Sequence, residues 1–257
     1  MVVRGRIKIP TLSKDKERTY YVYLPHGYDQ KQEARYPVVY MFDGHNLFTD
    51  GEATFGKCWG LEEYLDKTQT PVIIAAVECN HEGDMRLSEY SPISFDFHGR
   101  HIVGRGKKYM DWLCGTFKPF IDGSFRTLSD RENTYIAGSS MGGLMTVYAL
   151  AKYGKIFKGG AALSPSLWVG GGELPPFVIS GSFKKNCVLF MDYGEREFAN
   201  HSVQKKRFTK AFEVLCEKGV NVTARVVPNG NHSEASWEKE VPYFMAVLGF
   251  APTVCGN

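Results

Sequence analysis

The stretch YIAGSSMGGLMTVYALAKYG, from Tyr135 to Gly154, constrains this chain more than any other. It begins as a short apolar strand, turns on glycines, and continues with Leu144, Val147, Tyr148 and Ala151 at the spacing of one apolar helical stripe. A strand that passes straight into a helix has no room for side chains where the two cross. Gly138, Gly142 and Gly143 put none there. Gly138-Ser139-Ser140-Met141-Gly142 also spells G-x-S-x-G, the pattern of a strained turn that presents its central serine above a sheet. Ser140 would then stand at a helix N-terminus, where free backbone N–H groups favour developing negative charge. Ser139, one residue earlier, lacks that geometry. Small residues alone would also suit a tight crossing, so the rest of the chain must decide.

Along the chain, RTYYVYLPHGYD alternates as an antiparallel strand would, and YPVVYMFDG and VIIAAVEC are continuous apolar runs of buried-strand length. TYIAG, GGAALS, CVLFMDYG and VTARVVPNG read as further strands. CWGLEEYLDKT, KKYMDWLCGTFKPFIDGSF, SVQKKRFTKAFEVLCEKG and SWEKEVPYFMAVLGF read as helices between or after them. This alternation predicts an α/β fold, a mostly parallel sheet with helices on both faces. No repeat or linker divides the 257 residues, so one domain is expected over 1–257. The connections 80–106 and 164–186 fit the alternation badly. Each follows a strand, which predicts that they wall a site beyond the carboxyl ends of the sheet.

A formal net charge of +3, with basic residues dispersed, gives no sign of a nucleic-acid partner. VIIAAV is far shorter than the roughly 18 apolar residues of a membrane span. MVVRGRIKIP lacks a signal-peptide core, so no membrane association and a cytoplasmic location are expected. Cysteines at 58, 79, 114, 187, 216 and 255 form no C-x-x-C pair and show no clustering with histidine. They are expected to be reduced and structural, with no metal site and no cofactor. Oligomeric state is not legible.

A serine hydroxyl needs a base within hydrogen-bond reach, held in orientation by a third group. With Ser140 as nucleophile, the order serine, acid, histidine leaves only His201 and His232 as bases. His232 lies in VVPNGNHSEASW, between the last strand and the final helix, where a loop can bring it over the serine; His201 opens an amphipathic helix and reads as a capping or surface residue. The acid comes from MDYGERE, as Asp192, Glu195 or Glu197. Glu197, three residues past Gly194, can curl back beneath His232, whereas Asp192 still belongs to the strand and stands as the alternative. An oxyanion hole needs two N–H donors. Met141 would give one, and the DGHN turn the other, from His45 or alternatively Gly44.

YPVVYMFDGHNLF, RLSEYSP, AGSSMGGL, LSPSLW, DYGERE and GNHSEASW together resemble the Putative esterase family of α/β-hydrolases, in order from about Tyr20 to Phe250. Its members include enterochelin, feruloyl and acetyl-xylan esterases and S-formylglutathione hydrolases. The resemblance implies an α/β-hydrolase fold, a small-molecule ester substrate, and a cofactor-free triad mapping onto Ser140, Glu197 and His232. Two departures are visible: histidine where glutamine is commoner in the D-G-H-N turn, and glutamate where many relatives use aspartate. The expected activity is a serine carboxylic-ester hydrolase working through an acyl-enzyme. Acyl transfer on the same triad, or a catalytically dead binding protein of the same fold, are the alternatives. Trp168, Trp59, Tyr90 and Phe48 lie in segments that should face the site, to receive an aromatic or bulky acyl group or to serve as packing residues. Arg86 would bind an anionic group or pair with Glu89 to brace its loop.

Overall fold

The computed structural model describes residues 1–198 and 202–251; His201 and Cys255, both singled out above, lie outside them. Its strands are β1 (Val2–Lys8), β2 (Glu17–Tyr23), β3 (Val38–Met41), β4 (Ile73–Val77), β5 (Phe95–Phe97), β6 (Arg100–Ile102), β7 (Thr134–Ser139), β8 (Gly159–Leu163), β9 (Val188–Gly194) and β10 (Asn221–Val227). Eight of them form one sheet in the order β1-β2-β4-β3-β7-β8-β9-β10. From β4 to β10 every pairing is parallel, and β2 joins β1 and β4 antiparallel. This is the doubly covered, mostly parallel sheet of an α/β-hydrolase fold.

Alternation within each central strand divides the core. Val38, Tyr40, Ile73, Ala75 and Ile136 face one apolar cluster, which takes the helix Met141–Lys152 through Leu144, Met145 and Val147. Val39, Met41, Ile74, Ala76 and Ala137 face the other, with Leu61 and Leu65 of helix Leu61–Thr68 and Val241, Phe244 and Met245 of helix Glu234–Val247. Both faces of β3, β4 and β7 are therefore dry, which is why those strands read as unbroken apolar runs.

Several elements differ from the sequence expectation. β1 adds an edge strand that the sequence reading did not mark, and its exposed Arg4 and Arg6 alternate with half-buried neighbours. The helix expected through KKYMDWLCGTFKPFIDGSF is continuous but contains a π-helical turn at Leu113–Phe117. Pro119, in the turn that follows, has no N–H for the carbonyl of Gly115, and the Lys118 N–H reaches back to the Leu113 carbonyl instead. Segment 80–106 is not irregular throughout. It holds the helix Met85–Glu89 and the hairpin β5–β6, whose turn residues His98 and Gly99 have φ of 48° and 76°. Both are positive, as a type I′ hairpin requires.

That segment is tied to the sheet by a buried ion pair. Arg18 of β2 donates to both carboxylate oxygens of Glu89, at 2.8 and 2.7 Å, and Glu89 also accepts the Asn80 N–H at 2.7 Å. Glu89 is thus the partner of Arg18 and does not pair with Arg86 as expected. Both side chains are almost fully buried, so removing one strands the other's charge. Glu89→Ala should cost about 3–5 kcal/mol in chemical denaturation, while the double replacement Arg18→Met/Glu89→Leu should recover most of it. A loss below 1 kcal/mol in the single variant would contradict this account.

Candidate active site

Ser140 has φ 57° and ψ −118°, a backbone conformation that costs a non-glycine residue about 1–3 kcal/mol. Three hydrogen bonds hold it there. The Ser140 N–H donates to the Leu163 carbonyl at 2.9 Å, and its own carbonyl accepts the N–H groups of Leu144 and Ser166, each at 3.0 Å. The turn closes only because its neighbours lack side chains: a Cβ on Gly138 would lie 2.9 Å from the Phe42 ring, and one on Gly143 2.9 Å from the Leu163 carbonyl oxygen. Ser140 therefore caps the helix Met141–Lys152 with its side chain turned into a cavity of about 290 Å³, shared with Ser139, His45, Arg86, Glu234 and His232.

His232 sits in the loop after β10, and its Nδ1 is 2.7 Å from Glu197 Oε2. A carboxylate only accepts, so Nδ1 donates, and in the neutral ring Nε2 carries the lone pair. The other oxygen, Glu197 Oε1, accepts the Gly194 N–H at 2.8 Å and the Ser164 hydroxyl at 2.7 Å. The Trp237 indole N–H in turn donates to Ser164 Oγ at 3.0 Å, while the same ring meets His232 edge to face at 5.1 Å. Ser140 Oγ stands 3.5 Å from Ser166 Oγ and makes no hydrogen bond to His232. Hydrogen bonds between a catalytic hydroxyl and its base often shorten only as substrate is held.

Asp192 and Glu195 have other partners. Asp192 is fully buried in β9 and accepts the Ser164 N–H at 2.8 Å, with its second oxygen unpartnered among the described residues. Burial pushes its carboxyl well above the usual range, and the charges of Glu240 and Glu197 add to the shift. Glu195 accepts the Asn229 N–H at 2.9 Å at the surface.

The turn after β3 begins at Asp43, whose φ of 56° directs the chain into the tight turn Gly44–Asn46. Arg86 holds Asp43 with two bonds of 2.7 Å, and Asp43 N–H donates to the Tyr90 hydroxyl at 3.2 Å. Burial raises the Asp43 carboxyl, yet the charge and hydrogen bonds of Arg86 outweigh it, and the net shift is downward. Burial lowers His45 and keeps its ring neutral. Among the described residues neither the Met141 N–H nor the His45 N–H makes a hydrogen bond. Gly44 is pressed against Tyr21 and Ala76, with contacts to an added Cβ of 2.8 and 3.0 Å.

Of the aromatic residues expected to meet substrate, three are core. Trp59 is 2% exposed and packs on Trp237 and Phe244; Phe48 packs on Tyr21; Tyr90 is sealed between Phe42 and Tyr109. Each lies within a few residues of the cavity wall in sequence, but its ring is buried in the apolar layers. Trp168 stacks on Phe97 and lines a hollow of about 240 Å³ on the other side of His232. The sequence reading missed Asn46, Thr54, Phe55, Glu234 and Trp237 in the cavity wall. Glu234 and Trp237 follow His232 within two helical turns and Asn46 adjoins His45, so proximity to those residues was the available signal. Phe55, 80% exposed at the rim, gave none. The absence of cysteine–histidine clustering is also corrected: His45, Cys79 and His81 bring one ligand atom each to within 4.8 Å of one another.

A model of the family described as "Putative esterase" matches residues 12–247. "Uncharacterized protein YbbA" of Bacillus subtilis (strain 168) is 26% identical over 218 residues, 81% of this chain and 83% of that protein. Among solved structures, a ferulic acid esterase superposes with a TM-score of 0.70 at 19% identity, covering 98% of this chain and 97% of its own. An IroE-like serine hydrolase from Shewanella oneidensis gives 0.73 at 23%, covering 97% and 79%. An S-formylglutathione hydrolase from Agrobacterium tumefaciens gives 0.68 at 15%, covering 97% and 95%. At these identities the structural likeness establishes a shared fold. Among the described residues no helix is long and apolar enough to cross a membrane.

The environment of Asp192 sets a pH dependence. Its folded carboxyl holds a proton to higher pH than the unfolded one, so the neutral form contributes fully below about pH 4, and that contribution is lost as pH rises through the folded value. Asp192→Asn keeps the acceptor for the Ser164 N–H and removes the titration. Thermal unfolding should then show the variant gaining on the wild type as pH rises from 4 to 7, with turnover unchanged. A large fall in turnover at an unchanged melting temperature would instead make Asp192 part of the chemistry.

Proposed function

The chain belongs to the Putative esterase family, and we propose that it hydrolyses carboxylic esters through an acyl-enzyme formed on Ser140. The observation that carries this reading is the 2.7 Å contact between Glu197 and His232 Nδ1, which leaves Nε2 as the only ring nitrogen able to take a proton, on a side chain that shares Ser140's cavity. His232 Nε2 accepts the Ser140 proton as Oγ attacks the ester carbonyl. The oxyanion forms against the N–H groups of Met141 and His45, and Glu197 stabilises the imidazolium across the hydrogen bond. His232 then protonates the departing alcohol. Water attacks the acyl-serine with His232 again as base, and collapse of the second tetrahedral intermediate frees the acid.

Arg86 acts here by fixing Asp43, and through it the turn that presents His45; both of its bonds to Asp43 are 2.7 Å. Glu234, buried in the cavity wall and raised by that burial, offers a protonated or ionised carboxyl to a polar substrate group, while Phe55 offers an apolar face at the rim. Trp168 flanks the second hollow, where a leaving group or the far end of an acyl chain can lie.

Ser140→Ala should lower kcat by on the order of 10⁶ while Ser139→Ala stays active, and a fluorophosphonate should label Ser140 alone. Label recovered on another serine would sink the assignment. Glu197→Gln preserves the side chain's shape without its charge and should lower kcat by on the order of 10⁴ with little change in KM. A panel of aryl and alkyl esters with acyl groups from acetyl upward, with a feruloyl ester and a siderophore trilactone, identifies the substrate class.

A further inference from the structure

Behind the turn that carries His45 lie Cys79, just past the end of β4, and His81, two residues further on. One ligand atom from each of the three side chains falls within a span of 4.8 Å, and Cys79 Sγ is 4.0 Å from His81 Nδ1. The two imidazoles meet edge to face at 4.6 Å. His45 is 4% exposed, and its Nδ1 is buried without any hydrogen-bond partner among the described residues. Its Nε2 is engaged, 2.9 Å from Thr54 Oγ1. A buried ring nitrogen left bare costs free energy unless something occupies it. A histidine whose second nitrogen is held by a hydroxyl while the first stays bare is in the state that metal-ligating histidines adopt.

We propose that His45, Cys79 and His81 form a binding site for one divalent metal ion of borderline-soft character, with zinc(II) the best match to two imidazoles and a thiolate. Tetrahedral zinc with bonds of about 2.0–2.3 Å sets its ligand atoms roughly 3.5 Å apart. The observed span of 4.8 Å must shorten by roughly 1 Å for all three to bind one ion, and His81 is the exposed member of the three. Binding breaks the Cys79 S–H bond: sulfur keeps the electron pair and donates it to the metal, and the proton passes to solvent. Water completes the fourth position.

Access is from outside the ester cavity. Cys79 and His81 line a separate cleft of about 530 Å³, together with Glu78, Glu82 and Arg105. Glu78, 3.8 Å from His81 Nε2, adds negative charge at the mouth. Arg86 lies close on the inner side, where its charge is offset by Asp43. The ion would therefore sit between two hollows, joined to the ester site by His45 and by the Asp43 carboxylate beside Cys79.

The test is titration of the full chain with cobalt(II), then zinc(II). The expected result is a thiolate-to-cobalt charge-transfer absorption that saturates at about one equivalent per chain and is displaced by zinc. Ser140→Ala should keep it, which separates this site from the fate of the esterase reading. Cys79→Ser should abolish the absorption, and His81→Ala, an exposed and fold-neutral change, should weaken cobalt affinity by on the order of tenfold or more. Zinc should raise the melting temperature of the wild type and not that of His81→Ala. Absence of the charge-transfer band, its loss in Cys216→Ser or Cys255→Ser, or affinity unchanged in His81→Ala would overturn the proposal.

Discussion

Everything at the candidate site depends on the left-handed backbone of one serine. The conformation of Ser140 is unfavourable by itself and persists because hydrogen bonds from β8, the following helix and Ser166 surround it. That cost, about 1–3 kcal/mol, is spread over a dry sheet with both faces covered. The same bonds fix the first turn of the helix, so the Met141 N–H and the serine hydroxyl are aimed by one rigid unit. The glycines around them are consequences of this geometry, because each occupies a place where a methyl group would strike backbone or the Phe42 ring.

Around that unit the chain sorts four carboxyl groups by environment. Asp43, gripped by Arg86, is held ionised. Asp192, buried with one unpartnered oxygen, is pushed towards its neutral form. Glu234 is raised more modestly at the cavity wall. Glu197 alone has one oxygen saturated by a backbone N–H and a hydroxyl and the other given to His232. The geometry, more than burial, distinguishes the roles: a histidine partner can be oriented only by a carboxyl that is itself unable to rotate.

The parts legible in the sequence are those governed by local pattern. Buried strands announce themselves as short apolar runs, and the strand-turn-helix around Ser140 is written in its glycines. β1 escaped because an edge strand with alternating arginines carries little apolar signal, and β5–β6 because three-residue strands carry almost none. Side-chain direction is harder. Trp59, Phe48 and Tyr90 lie in loops or at a helix end a few residues from cavity walls, where a shift of one residue separates core from site, and nothing in a lone aromatic records it. Contacts between distant segments, such as Arg18 with Glu89 or His45 with Cys79, depend on sheet order, which the sequence pattern constrains only loosely.

The site is assembled from the carboxyl ends of neighbouring strands that arrive in a set order. β3, β7, β8, β9 and β10 lie side by side, and they are also made in that order. The Gly44–Asn46 turn and Ser140 belong to the first of these strands; Glu197 follows β9, and His232 comes only after β10. On the proposed mechanism, a chain emerging from the ribosome can thus hold the turn at Ser140 before the residue that would take its proton has been made. On that mechanism the base arrives after every strand of the sheet, β10 included, and the hydroxyl would become reactive only then.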